Sequence, residues 1–444
     1  MRTSRAARTT RSRRAALLVT TVLSATALLA TGCSSSGSSS AGATADPNEK
    51  ITLTVGDFGT FGYKEAGLFD AYTALHPNIT VKENTTTAEA DYWTAVQTHL
   101  AAGSGLDDIQ GLEVGRIALA TSDALSSSFA DLSKAPGVKK EDYLGWKWEQ
   151  GTTKSGKTIG LGTDVGPMAI CYRQDLFAAA GLPSDPAAVS ALWAGDWQKY
   201  VDAGKTFQAN APKGTFFMDS ATGLFNGVVS SSTQQYYKDG KLAYKDSASV
   251  KSAWDLAMAA DAAGSSQGLK EFDPPWQTAF SQSTFATTLC PSWQQANIEK
   301  YSGPANAGKW NVAQAPAAGN WGGSFLAVPA SGKHVAAAQE LAAWLTAPEQ
   351  QAKAFQKVGV IPSNQGAYAL AGVTDFKNPY IGPNAPTGQI FSTAAKAIKP
   401  AETGPKAGDL QSAFSNGILL VEQNGKSATE AWDATVKQID STIQ

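Results

Sequence analysis

From Glu49 onward the apolar positions switch repeatedly between a two-residue period and a three-to-four-residue period. ITLTVG (51–56) puts Ile51, Leu53 and Val55 on one side of an extended chain and threonines on the other, the pattern of a half-buried strand. An aromatic loop broken by glycines, DFGTFGY, follows. KEAGLFDAYTALHP then reads as a helix stopped by Pro77, NITVKEN as a second strand, and YWTAVQTHLAAGSG as a second helix with a glycine stop. DDIQGLEVG gives a third strand leading into a loop. Strand and helix in strict alternation predict a parallel α/β layer, because a parallel connection must cross over and a helix does so. Later, KSGKTIGLGTDVGPMAICYRQDLFAAAGLP reads as a turn, a strand and a short helix ending at Gly181. Val335, Ala338, Leu341 and Leu345 recur at helical spacing. Thr346 and Glu349 form a capping-box pattern around Pro348, and Gly359 is placed to stop that second helix.

The N-terminal pattern is of another kind. Met1–Arg14 carries six arginines and no acid, and Ala15–Ala30 is apolar but shorter than the roughly 20 residues a membrane span needs. Ala30-Thr31-Gly32 leads into Cys33, which resembles the lipobox of bacterial lipoproteins, with Ala30 where leucine is usual. That resemblance implies a signal peptide over 1–32 and a diacylglyceryl group on Cys33. It also implies a serine-rich tether to residue 48, of roughly 20 Å r.m.s. reach. An ordinary signal peptide with an incidental cysteine is the alternative. The expected location is the outer face of a Gram-positive-type cell membrane.

Charge and cysteine content narrow the classes. The chain has 36 basic and 38 acidic residues; without the six leader arginines the balance is 30 against 38. Such a surface repels nucleic acid. Only Arg116 and Arg173 remain among the arginines, while 12 tryptophans and many uncharged polar residues suit neutral ligands. His76, His99 and His334 lack metal-ligand spacing, and neither a metal nor another cofactor is expected. Cys171 and Cys290 are left as a pair, either disulfide-bonded in an oxidising exterior or two buried thiols.

Four segments in order carry a more specific signal: AGSGLDDIQGLE, DVGPMAICYRQDLFAAAGLP, TLCPSW, and the Gly-Gly-Ser…Pro…Leu-Thr-Ala-Pro-Glu run. The chain resembles the family 1 extracellular solute-binding proteins of ABC sugar importers, the maltose-binding protein group. The resemblance implies an α/β, type II periplasmic-binding-protein-like fold: two discontinuous lobes joined by a multi-strand hinge. Their expected extents are 49–158 plus 311–347, and 159–310 plus 348–444. It also implies a monomer that is not an enzyme, an oligosaccharide ligand, and permease subunits with a cytosolic ATPase as partners. Cellobiose and cello-oligosaccharides are the first expectation, with chito-, xylo- or malto-oligosaccharides, or a secreted glycoside hydrolase, as alternatives.

A neutral sugar presents hydroxyls that need partners and C–H faces that suit flat rings. Trp254, Trp344 and Trp432 fall in helical, alanine- and leucine-rich runs and read as core; Trp193 and Trp197, four residues apart, could equally pack against each other. Trp276, Trp293 and Trp321 sit at Pro/Gly-punctuated positions and read as stacking platforms. By resemblance, Phe414 matches another stacking position, and Phe58 and Phe61 lie where the family lines its cleft. The resemblance also implies Glu113 and Asp164 as cleft acids, with Arg116 and Asn226 as further expected polar groups and a Glu113–Arg116 surface pair as the plain alternative. Arg173 beside Asp175 reads as structural.

Overall fold

The computed structural model describes residues 49–382 and 385–443. The leader, Cys33 and the tether lie outside the described residues. Two main sheets organise the rest. The first has the strand order 79–86, 51–58, 109–113, 324–327, 160–162. Its first three strands are mutually parallel, and the helices Leu68–Leu75 and Glu89–Ala102 make the crossovers. The two-residue period does what it predicts: Leu53 and Val55 are fully buried while Thr52 is exposed. Each such aliphatic side chain contributes roughly 1.5–3 kcal/mol by leaving water. The second helix ends at Gly103 in the left-handed region (φ 66), where a side chain would strain the backbone.

The second sheet has the order 310–314, 168–173, 285–291, 216–218. Its central strand Met168–Arg173 is buried on both faces and antiparallel to both neighbours. Cys171 and Cys290 lie diagonally across two of these strands and are disulfide-bonded, with Cα atoms 5.3 Å apart. Trp193 and Trp197 do not pack on each other as a pair; each sets its ring edge-on to Tyr200, at 5.2 and 5.9 Å. Trp254 packs on Trp432, and Trp344 on Tyr72.

The chain leaves the first sheet after Gly162 and returns to it at Ser324. Gly160–Gly162 belongs to the first sheet and Trp310–Gln314 to the second, so the segments that pass between the sheets are 163–167 and 315–323. The two crossing segments are bonded to each other: Thr163 N–H donates to Ser324 O, and Trp321 N–H to Gly166 O at 2.8 Å. A third segment joins them where Ile361–Pro362 pairs antiparallel with Asp164–Val165.

The Thr346 capping box is corrected. The Thr346 hydroxyl donates back to Ala342 O at 2.8 Å and shares a hydrogen bond with Tyr143. It therefore closes the helix Val335–Leu345, and Ala347 begins the next helix without a side-chain cap. Gly359 (φ 77) ends that helix as its position predicts.

Candidate functional site

A cavity of about 1000 Å³ opens where the crossing segments meet the ends of both sheets. The first-sheet side contributes Phe58, Phe61, Glu113 and Arg116; the second-sheet side contributes Asn226 and Trp293. Asp164 and Trp321 come from the two crossing segments. Eight of the ten expected ligand residues are thus brought together from six separate stretches of chain.

The aromatic residues form two clusters. Phe58 and Phe61 meet edge to face at 5.2 Å. Trp293 and Trp321 are 5.7 Å apart at 72°, and the Trp293 indole N–H donates to the Trp321 carbonyl at 3.2 Å. That bond fixes one ring against the backbone of the crossing segment, so the corner between the two rings is built before any ligand arrives.

The polar groups differ in how free they are. Glu113 ends its strand and caps the following helix, accepting the Gly115 N–H. Burial pushes its carboxyl up to about 7; the Gly115 bond and the charges of Lys147 and Arg116 oppose this. Arg116 does not pair with Glu113 in a surface turn. It is held by both oxygens of Glu89, at 2.9 and 3.0 Å, and the hydrogen-bonded Glu89 carboxylate raises the guanidinium pKa further. Asp164 is buried and accepts both the Thr163 hydroxyl (2.7 Å) and the Ser324 N–H (2.8 Å), tying the crossing segments together at the cavity floor. Asn226 is buried in the helix Ala221–Ser230, and its side-chain oxygen makes no hydrogen bond among the described residues.

Two expected platforms are elsewhere. Trp276 is 0% exposed in the helix Pro274–Gln282, with its indole N–H on Asp219 Oδ2 at 2.7 Å. Its DPPW context reads as a loop, but proline at the first helical position starts a helix and turns the ring inward. Phe414 is also 0% exposed, stacked on Phe225 at 5.3 Å in the core against the second sheet. The helix Ala407–Glu422 instead shows the cavity a polar stripe, including Gln411 and Ser415 one turn apart.

Other lining residues are not among those expected from the sequence. Glu271 accepts the Thr222 hydroxyl at 2.9 Å, and burial, with Asp219 nearby, pushes its carboxyl well up. Trp146 and Gln150, one helical turn apart, also line the cavity; that spacing was the available signal. Among the described residues no three His, Cys, Asp or Glu side chains are placed to hold a metal ion. No helix among them is long and apolar enough to cross a membrane.

Comparison with known proteins gives a consistent result. Residues 67–380 match the family described as bacterial extracellular solute-binding protein. A curated relative, the arabinooligosaccharide-binding protein of Bacillus subtilis (strain 168), is 28% identical over 278 residues. That match spans 58% of this chain and 60% of the relative, less than two thirds of its length. A crystal structure of an extracellular solute-binding protein family 1 member superposes with TM-score 0.80 at 38% identity, covering 88% of this chain and 99% of its own. The ABC transporter associated binding protein of B. animalis subsp. lactis Bl-04, solved with β-1,6-galactobiose, superposes with TM-score 0.71 at 18% identity, covering 88% and 97%.

Proposed function

The chain belongs to the bacterial extracellular solute-binding proteins and has the maltose-binding-protein-like type II periplasmic fold; on that premise we propose that it captures an oligosaccharide outside the cell membrane. It then delivers the sugar to the permease of an ABC importer driven by a cytosolic ATPase. The reading rests on one observation: a cavity walled from both sheets is lined in common by the Trp293–Trp321 corner and by Asp164, Glu113 and Asn226. Rings take the C–H faces and the carboxyl and amide groups take hydroxyls, which is what a neutral sugar requires.

Each sheet with its helices acts as one lobe, and the bonded crossing segments act as the hinge. A sugar that touches both lobes binds the closed arrangement better than the open one, and only that difference drives closure. Cys33 carries the lipid that keeps the protein at the membrane. Cello-oligosaccharides are the favoured ligands. Arabino-oligosaccharides are the second reading, favoured by the name of the 28%-identical relative.

Calorimetric titration with cello-, arabino-, malto-, xylo- and chito-oligosaccharides of two to five units tests this. Saturable binding of at least one series is expected, the cello series tightest. A hundredfold preference for another series overturns the cello assignment, and the absence of binding by every series overturns the function itself.

A further inference from the structure

Phe272 combines three properties that no other lining residue shares. It is 48% exposed, one of three exposed large hydrophobic side chains among the described residues. Its backbone is left-handed (φ 71), which for a bulky residue is a costly outlier. It also borders the cavity beside three tryptophans, with centroids 5.1 Å from Trp276, 6.1 Å from Trp293 and 6.4 Å from Trp321.

The surrounding segment holds this conformation from both sides. Glu271 is drawn inward by the Thr222 hydroxyl, and Leu269 N–H donates to Asp219 O at 3.1 Å. On the other side the Gln277 side chain donates to Phe272 O at 2.9 Å, and Lys270 pairs with Asp273 at 3.3 Å. An inward Glu271 followed at once by a helix start leaves Phe272 to turn outward over the cavity. Backbone strain maintained by such constraints is typical of a functional position.

We propose that Phe272 is the outer stacking platform of the site, taking the C–H face of a sugar unit adjacent to the one held in the Trp293–Trp321 corner. Its ring is inclined only 38° to that of Trp293, so both can present faces to one ligand chain, and their 6.1 Å separation is comparable to the advance of one sugar unit. Phe272 would then decide ligand length rather than sugar identity. The inference rests on the oligosaccharide reading above.

The test is calorimetry on the intact protein and on Phe272→Gly and Phe272→Trp, with the di-, tri- and tetrasaccharides of whichever series the unmodified protein binds. Glycine accepts the left-handed backbone, so Phe272→Gly removes the ring without adding strain; circular dichroism and thermal melting verify its fold. The expected result is a loss of about tenfold for tri- and tetrasaccharide with a smaller loss for disaccharide, while Phe272→Trp keeps the unmodified length preference. Equal losses at every length, or no loss at any, overturn the outer-platform assignment and leave the sugar-binding reading intact. An unmodified protein that binds no saccharide overturns both.

Discussion

The ammonium of Lys147 lies 3.7 Å from the centroid of the Phe325 ring, fully buried, and donates no hydrogen bond among the described residues. Burial pushes its pKa down to about 8, although Asp164 and Glu113 pull the other way. Desolvation therefore outweighs the two carboxyl groups.

Replacing Lys147 by methionine should stabilise the protein by about 1–3 kcal/mol at pH 7, since a buried charge without adequate partners costs more than it returns. The sign has a pH signature. Between about 8 and 10.5 the unfolded lysine binds more proton than the folded one, so stability of the unmodified protein rises with pH across that window. Lys147→Met should lack that component. Urea titrations at pH 7 and 9.5 measure both; a variant no more stable at pH 7 would mean that the ammonium is well solvated inside.

The buried acids act in the opposite direction. Burial pushes Glu113 and Glu422 up to about 7, and pushes Asp57, Asp219 and Glu271 up as well. A raised carboxyl contributes stability that is complete below its unfolded pKa and is lost as pH rises through the folded value. The melting temperature should therefore fall between pH 5 and pH 8, by roughly 2–3 °C if two such groups each contribute about 1 kcal/mol. Glu422→Gln should flatten the curve. A melting temperature that rises across this range would contradict the assignment.

The layering of the fold is legible because alternation at 51–56 and the glycine and proline stops after the first two helices are local signals. The cavity is legible where residue type and loop context agree, as for Trp293 and Trp321. It fails where a helix hides the direction of a ring: Phe414 attracts attention, yet Gln411 and Ser415 on the same helix face the cavity. Arg116 illustrates a third limit. Its partner Glu89 is 27 residues away, and proximity in sequence to Glu113 suggests the wrong pair. Nothing in the letters around Phe272 announces a left-handed backbone, since that arises from what Glu271 and Gln277 bind.

Core and cavity aromatics should separate in a paired experiment. Phe414→Ala should cost about 3–5 kcal/mol of stability, as expected for a fully buried ring, with saccharide affinity changed only a few-fold. Trp293→Ala should do the reverse: about tenfold or more lost in affinity and a smaller loss in stability. Chemical denaturation and calorimetry on both variants decide this. A selective affinity loss in Phe414→Ala would return that ring to the site.

The Cys171–Cys290 bond closes a segment of 119 residues and joins two buried strands of the second sheet. In the chain-entropy view, long loops gain most from such a link, and removing one costs typically 2–5 kcal/mol. The double variant Cys171→Ser, Cys290→Ser should lose stability in that range, and part of the loss comes from burying two hydroxyls. Denaturation of the unmodified protein with and without reductant isolates the link itself. Equal midpoints, with thiol titration proving reduction, would remove the disulfide from the account of stability.

The crossing segments approach closely because two positions lack side chains. A methyl group at Gly166 would overlap the carbonyl oxygen of Trp321, the residue whose N–H donates to Gly166 O. At Gly323 the backbone is left-handed (φ 94), and an added carbon would stand 2.7 Å from Asp164 O. Gly166→Ala should therefore force the segments apart and cost about 1–3 kcal/mol, as overpacking does. The same displacement moves Trp321 and Asp164 within the cavity, so affinity for the bound saccharide should fall with stability. Gly145 is the matched control, since a carbon there meets nothing within 4 Å and its φ is not left-handed. Gly145→Ala should be neutral or slightly stabilising. If Gly166→Ala loses stability but keeps its affinity, the crossing segments can separate without disturbing the site, and close backbone contact is not what aligns Trp321 with Asp164.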